Sequence, residues 1–174
     1  LDVYADLIDA VRAVDTDQVL LIEPVYGNSH PAQLDLGRLT ADQRTNLVYS
    51  IHDYFAGGDD DGYTAQGATD AGFHTWDGFG GYPLDQISRS TLQSQLATSV
   101  QRHLDVLAPW QVPLYIGEYG IAPDAPFAAE WIADKRAVFD TAIDIYDPTR
   151  PAAEVALPRA YWTCLLYTSD AADE

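Results

Sequence analysis

The order of apolar and polar positions along the chain alternates between two patterns, one typical of helices and one typical of buried strands. Helical spacing of apolar residues occurs over residues 3–14, 41–46 (at most a short helix), 90–108 and 127–145. Continuous apolar runs occupy residues 19–23, 46–54, 112–120 and 156–163. Apolar runs separated by helices are typical of a parallel sheet covered on both faces. We therefore predict an α/β fold.

One segment is much longer than the other connections. Residues 55–87 are rich in Gly, Asp and aromatic side chains, including Trp76. Loops of this length are usually functional or disordered, and the aromatic content favours a packed loop. The segment follows a predicted strand, which is the side of a parallel α/β sheet where binding sites lie.

Charge and composition exclude several classes of function. The chain has 174 residues, which suits one domain or a piece of one, and its net charge is -18, from 27 acidic and 9 basic residues. This charge argues against binding to nucleic acid or to an anionic membrane, and no run of 18 apolar residues is present to span a bilayer. A single cysteine excludes a disulfide framework.

A chemically useful side chain stands at or near the end of each predicted strand. Glu23 ends the first, His52 and Tyr54 end the second, Glu118 ends the third, and Trp162 lies in the fourth. The carboxyl ends of parallel barrel strands converge on one opening. A carboxylate beside an imidazole and a phenol there suits a nucleophile or an acid/base, and a tryptophan offers a flat face to a sugar ring.

Two of these segments, VYSIHDY (48–54) and VPLYIGEYG (112–120), resemble glycoside hydrolase family 5, the cellulase family. The resemblance extends over residues 1–163. It implies a partial (β/α)8 TIM barrel, roughly strands 5–8 with their helices, which is the C-terminal half of the catalytic domain.

The resemblance also implies roles for individual residues. Glu118 would be the nucleophile of a retaining glycosidase, and Tyr54 would hydrogen-bond its carboxylate. His52 would line the cleft, and Trp162 would stack beneath the sugar at the cleaved position. Trp76 is a weaker candidate for binding substrate. Trp110 precedes its strand, so we interpret it as a packing residue.

The sequence departs from the family at the acid/base. In this family that residue is the Glu of an Asn-Glu pair on strand four, and no Asn-Glu occurs in this chain. We expect it upstream of Leu1. Glu23 follows an isoleucine at the end of what resembles strand five, so it is not expected to take that role. Because retaining chemistry needs two carboxyl groups, we predict that this chain alone is inactive.

Both ends of the chain carry signs of truncation. Residue 1 is leucine, and no signal peptide is visible. Residues 164–174 (CLLYTSDAADE) resemble the translation of a sequencing adapter, the alternative being a natural polar tail. We therefore exclude this segment, with Cys164, from the interpretation of the fold.

The expected parent protein is a secreted, monomeric, retaining β-glycosidase that hydrolyses a β-linked glucan polysaccharide or oligosaccharide. The leading activity is that of an endo-β-1,4-glucanase, with mannanase or β-1,3-glucanase as alternatives from the same family. A non-catalytic carbohydrate-binding half-barrel is the alternative from another class. We expect no cofactor and no metal: Asp59, Asp60 and Asp61 lack calcium-loop spacing, and His30, His74 and His103 lack zinc spacing, His103 being interpreted as a surface residue.

Overall fold

The computed structural model describes residues 2–23, 35–55, 57, 82–121, 125–142, 157 and 159–161. Four strands lie in these ranges: β1 Leu20–Ile22, β2 Leu47–His52, β3 Leu114–Tyr119 and β4 Arg159–Tyr161. Four α-helices accompany them: α1 Asp2–Arg12, α2 Ala41–Arg44, α3 Arg89–Leu107 and α4 Ala128–Thr141. Short 3₁₀ turns occupy Leu36–Arg38 and Ala108–Trp110. Each predicted helix and strand is present in the described part, with ends shifted by a few residues.

The four strands form one sheet in the order β1-β2-β3-β4, and every neighbouring pair is parallel. A doubly wound sheet would reverse its strand order part of the way across. Strand order that follows the chain, with helices between the strands, is instead the arrangement of a (β/α) barrel wall. The predicted α/β class and parallel sheet are confirmed, and the sheet forms part of such a barrel.

Local sequence explains where the helices begin. Thr40 and Gln43 form a reciprocal capping box around the first turn of α2. Ser88 is the cap of α3, and its side chain accepts a hydrogen bond from the Thr91 backbone N–H. Helix α3 ends at Leu107, two residues before Pro109.

The core lies between the sheet and helices α3 and α4. The alternate apolar residues of the two central strands are buried, because every second residue of a strand faces the same side, and Ser50 of β2 is buried on the other side. Their helical partners are buried side chains at helical spacing: Leu92, Leu96, Val100, Leu104 and Leu107 on α3, and Trp131, Val138 and Phe139 on α4. His103, which the sequence places at the surface, is buried on α3 instead, because it lies one turn after Val100 and one turn before Leu107 on the apolar face.

Helix α1 carries an apolar stripe that the described fold leaves in solvent. Ile8 is buried, but Val3, Leu7 and Val11, which lie one turn apart, are 71%, 56% and 37% exposed. The neighbouring edge strand β1 also exposes Leu21. Helix α1 therefore has one apolar side against the core and a second that is exposed to solvent.

A buried carboxylate links α3 to α4. Asp134 on α4 accepts hydrogen bonds from Tyr82, Gln93 and both the Nε and Nη2 atoms of Arg89, at 2.8–3.1 Å. Burial acts to raise the pKa of Asp134, but the hydrogen bonds from Arg89, Gln93 and Tyr82 outweigh it and hold the pKa below its ordinary value. The ionised form is therefore part of the packing between the two helices.

We expect the contribution of Asp134 to stability to fade in acid. The unfolded chain binds a proton near the ordinary pKa of 3.8, whereas the folded chain binds it only at lower pH, so the stabilisation is present above that value and lost below it. Replacing Asp134 with Asn should lower the free energy of unfolding by about 1.5–3 kcal/mol at pH 7, and less as the pH falls through 4. Urea unfolding from pH 7 to pH 3 measures this difference.

The matched control is Asp140→Asn on the same helix, which removes an exposed carboxylate paired with Arg159 of β4. An exposed pair contributes about 1 kcal/mol or less. A destabilisation by Asp134→Asn that stays constant over the whole pH range would contradict the prediction.

None of the helices in the described ranges combines the length and the apolar character that a membrane span requires.

Candidate active site

The carboxyl ends of three neighbouring strands bring together the polar residues predicted from the sequence. Glu23 directly follows β1, His52 is the last residue of β2, and Glu118 lies one residue before the end of β3. Because β1, β2 and β3 are parallel neighbours, these side chains meet at one edge of the sheet.

Tyr54 and Glu118 are in direct contact. The Tyr54 hydroxyl donates a hydrogen bond of 2.6 Å to Oε2 of Glu118. This length is typical of a hydroxyl that donates to an ionised carboxylate. The Glu118 side chain keeps 32% of its surface exposed, so the carboxylate is held by the protein and still open to a ligand.

His52 lies between two carboxylates. Its Nδ1 is 3.2 Å from Oε2 of Glu118, and its Nε2 is 2.8 Å from Oε1 of Glu23. Oε2 of Glu118 therefore has both Tyr54 and His52 as neighbours, from two sides. The sequence predicts that His52, Tyr54 and Glu118 lie together, and in the structure their side chains are in contact, with Glu23 beside them.

A bulge in β3 sets the direction of Glu118. Ile51 pairs with Ile116, yet the next residue of β2, His52, pairs with Glu118, so Gly117 is an extra residue in β3. The pairing of β3 with β4 is also irregular between Ile116 and Tyr119. A bulge re-aims the side chains that follow it. Here Tyr119 packs on the aromatic rings of α4, and Glu118 points to the side of the sheet that holds His52.

Ser50 belongs to this group but was missed in the sequence. Its hydroxyl donates a 3.0 Å hydrogen bond to Oε1 of Glu23. A signal was available, because Ser50 precedes His52 by two residues and so lies on the same face of β2. Gly117 is also required here, since a Cβ at that position would lie 2.5 Å from the Ser50 Oγ.

A buried ion pair supports the site from behind. Asp53, between His52 and Tyr54, is held at 2.7 Å by Nζ of Lys135 on α4, and neither side chain has any exposed surface. Burial lowers the pKa of Lys135, and the charge of Asp53 acts in the opposite direction. The sequence offered one signal for this pair: the only lysine of a strongly acidic chain lies one turn after Trp131 on the apolar face of α4.

The backbone around Asp53 is fixed as well. Its N–H donates to the carbonyl of Glu118 at 2.8 Å, which joins the ends of β2 and β3. Two residues later, the Phe55 carbonyl accepts hydrogen bonds of 3.1 Å from Lys135 Nζ and from Trp131 Nε1. The segment that carries His52 and Tyr54 is therefore fastened to α4 at two points.

The remaining residues singled out in the sequence fall either outside the described residues or outside this cluster. Trp76 and Trp162, as well as Asp59, Asp60, Asp61, His30, His74 and residues 164–174, are outside the described residues. Trp110 is a packing residue, as predicted, with its ring against Gly37 and the Arg44 guanidinium 5.2 Å from the ring centroid. Within the described ranges, no group of three or more His, Cys, Asp or Glu side chains is arranged to hold a metal ion.

Comparison with known families agrees with this geometry. The family model described as Cellulase (glycosyl hydrolase family 5) matches residues 1–144, which contain the first three strands and all of the clustered polar residues. Searches of curated proteins and of solved structures found no significant match. Family 5 enzymes are glycosidases built on a (β/α)8 barrel, and the sequential parallel sheet described above is part of such a barrel. The chain belongs to glycosyl hydrolase family 5.

Proposed function

We propose that this chain carries the nucleophile half of a retaining β-glycosidase site. The observation that carries the proposal is the 2.6 Å hydrogen bond from Tyr54 to Glu118, at the carboxyl end of a barrel strand. A retaining glycosidase needs an ionised carboxylate that is oriented but still accessible. The geometry of Glu118 suits this role, since Tyr54 donates a hydrogen bond to one of its oxygens, His52 borders the same atom, and a third of its surface remains open.

In the proposed reaction, Glu118 attacks the anomeric carbon while the glycosidic bond breaks and an acid protonates the departing oxygen. Tyr54 keeps the carboxylate in place for this attack, and His52 lines the cleft beside it. Water then hydrolyses the glycosyl-enzyme, and the product keeps the β configuration. We assign sugar stacking to Trp162, with Trp76 as a weaker contact, on the family resemblance alone.

The acid/base is proposed to come from a longer parent protein, from an Asn-Glu pair on the strand before β1. Glu23 is a poor alternative because the imidazole of His52 lies between it and Glu118. The two carboxyl groups of a retaining site stand about 5–5.5 Å apart with the anomeric carbon between them. The open edge formed by α1 and β1, with its exposed apolar side chains, is where such a strand would pair.

For the substrate we propose β-1,4-glucan cut internally, with mannan and β-1,3-glucan as alternatives within the same family. A parent enzyme that digests such a polymer would act outside the cell, as a monomer. Family membership supports a carbohydrate substrate, and the choice of linkage follows the resemblance in residues 48–54 and 112–120.

We expect the purified 174-residue chain to release no reducing sugar from β-1,4-glucan, and the parent enzyme to hydrolyse it with retention. Proton NMR of the first product tests the second expectation, because the β anomer forms before mutarotation. The upstream coding sequence should contain Asn-Glu at the end of the preceding strand. Hydrolysis by the chain alone would contradict the half-site proposal, and an α-configured first product would contradict the role of Glu118.

A further inference from the structure

Glu23 is the carboxylate of the site that the reaction above does not use. It follows the edge strand β1, and its Oε1 accepts a hydrogen bond from Ser50 and contacts His52 Nε2 at 2.8 Å. Its backbone carbonyl accepts a hydrogen bond from the Tyr4 hydroxyl on α1. Both the backbone and the side chain of Glu23 are therefore fixed, although its side chain is 43% exposed.

The contact between Glu23 and His52 determines which imidazole nitrogen carries a proton and how the ring is oriented. A carboxylate only accepts hydrogen bonds, so His52 satisfies Glu23 only when its Nε2 carries a proton. A carboxylate that accepts a hydrogen bond from one imidazole nitrogen fixes the orientation of the ring. It thereby also fixes what the other nitrogen faces. The other nitrogen of His52 is the one that faces Oε2 of Glu118.

The absence of a side chain at Gly117 makes room for the hydrogen bond between Ser50 and Glu23. Gly117, the extra residue of the β3 bulge, leaves room for the Ser50 hydroxyl, and a Cβ there would also approach Oε1 of Glu23 at 3.4 Å. The bulge that aims Glu118 is thus also the place where β3 makes space for the Ser50–Glu23 hydrogen bond.

We propose that Glu23 is a positioning residue, which acts on the nucleophile Glu118 through the imidazole of His52. Ser50 holds the Glu23 carboxylate, Glu23 holds Nε2 of His52, and Nδ1 of His52 then borders the same Oε2 atom that Tyr54 binds. The role of Glu23 in catalysis depends on the glycosidase function proposed above. The contact between Glu23 and His52 does not.

The first test reads the imidazole directly in the 174-residue chain. Long-range ¹H–¹⁵N spectra report which ring nitrogen carries a proton, and His52→Gln assigns the signals among the four histidines. We expect both nitrogen signals of His52 to move in Glu23→Ala and to stay in place in Asp105→Ala. Asp105 is a suitable control because it is an exposed carboxylate on α3 whose partner is Gln101. Unchanged His52 signals in Glu23→Ala would overturn the proposal.

The second test is kinetic and uses the parent enzyme with aryl β-glycosides of good and poor leaving groups. Because kcat/KM reports attack by the nucleophile, Glu23→Ala should lower it about 10–100-fold for both substrates alike. Glu23→Gln keeps an acceptor oxygen and should recover part of the loss, and Asp105→Ala should behave as the wild type. Loss confined to the poor leaving group would make Glu23 an acid and overturn the positioning role, as would no loss at all.

The two proposals fail in different ways. A wild-type parent enzyme that hydrolyses no β-glycoside contradicts the proposed function, and with it the catalytic role of Glu23. A wild type that hydrolyses with retention, combined with a Glu23→Ala variant of full activity, contradicts only the role of Glu23.

Discussion

Replacing Lys135 with methionine should lower the free energy of unfolding of the chain by about 3–5 kcal/mol. The methionine side chain is unbranched and only one atom shorter than that of lysine, so the change removes the charge and the hydrogen bonds more than the packing. It leaves the carboxylate of Asp53 buried without its cation, and it takes one of two donors from the Phe55 carbonyl. Solvation cannot compensate Asp53, because its side chain has no exposed surface.

Urea unfolding at neutral pH measures this loss, with Arg136→Met as the matched control. Arg136 is the next residue on α4 and is exposed, and its Nε donates a 3.4 Å hydrogen bond to the Tyr119 hydroxyl. Its substitution removes the same charge from the surface and should lower stability by about 1 kcal/mol or less. The double variant Asp53→Asn/Lys135→Met should be more stable than Lys135→Met alone, because it no longer buries a lone charge. Equal effects of Lys135→Met and Arg136→Met would contradict the prediction.

The buried pair also connects stability to the site. Asp53 stands between His52 and Tyr54 in the chain, so its side chain points to the helix side while theirs point to the site. These directions follow from the extended backbone, in which successive side chains face opposite sides of the sheet. A variant that removes the Lys135 partner of Asp53 is therefore expected to move His52 and Tyr54, the two side chains that contact Glu118.

The elements of the fold could be predicted because each leaves a local pattern in the sequence. The run at 46–54 contains β2 at Leu47–His52, and the helical spacing over 90–108 corresponds to α3 at Arg89–Leu107. The order of the strands in the sheet cannot be predicted from local patterns. The prediction of a barrel came from the family resemblance. The exposure of Val3, Leu7 and Val11 was not predictable, because periodicity identifies a helix without showing what covers each of its sides.

The clustering of Glu118, His52 and Tyr54 was predictable, because each stands at or near the end of a predicted strand and parallel strands end at one edge of the sheet. Contacts that depend on strand register were not predictable. Gly117 reads as an ordinary strand glycine until the pairing of His52 with Glu118 shows that it is an extra residue. Glu23 was judged only as a candidate acid, because nothing local indicates that the side chain across from it is the imidazole of His52.

The partner of Lys135 could not be predicted from the sequence either. A lone lysine on the apolar face of a helix signals a buried partner, but 17 aspartates precede it in the chain, and the sequence does not choose among them. The choice falls on Asp53 because α4 packs against the part of the sheet where the segment after β2 passes. Long-range pairing of this kind is set by tertiary packing and not by local pattern.

The largest effect on activity is expected for Glu118→Ala in the parent enzyme, where kcat for β-glucan should fall about 10⁴-fold or more. The reason is that the neighbouring carboxylate of the described site, Glu23, cannot replace Glu118, because the imidazole of His52 lies between the two. Tyr54→Phe keeps the nucleophile and loses one hydrogen bond to a charged group, so its loss should be smaller, about 10–100-fold.

Chemical rescue distinguishes a lost nucleophile from a lost acid. With an aryl β-glycoside that needs no acid, azide should restore turnover by Glu118→Ala, because it enters the space that the carboxylate leaves. It attacks the anomeric carbon from the face of Glu118 as the aryl oxide departs from the opposite face, so the product is the α-glycosyl azide. The β-glycosyl azide would mean that Glu118 served as the acid/base and that the nucleophile lies elsewhere. Asp105→Ala, measured beside it, should need no rescue, since its carboxylate lies on the outer surface of α3.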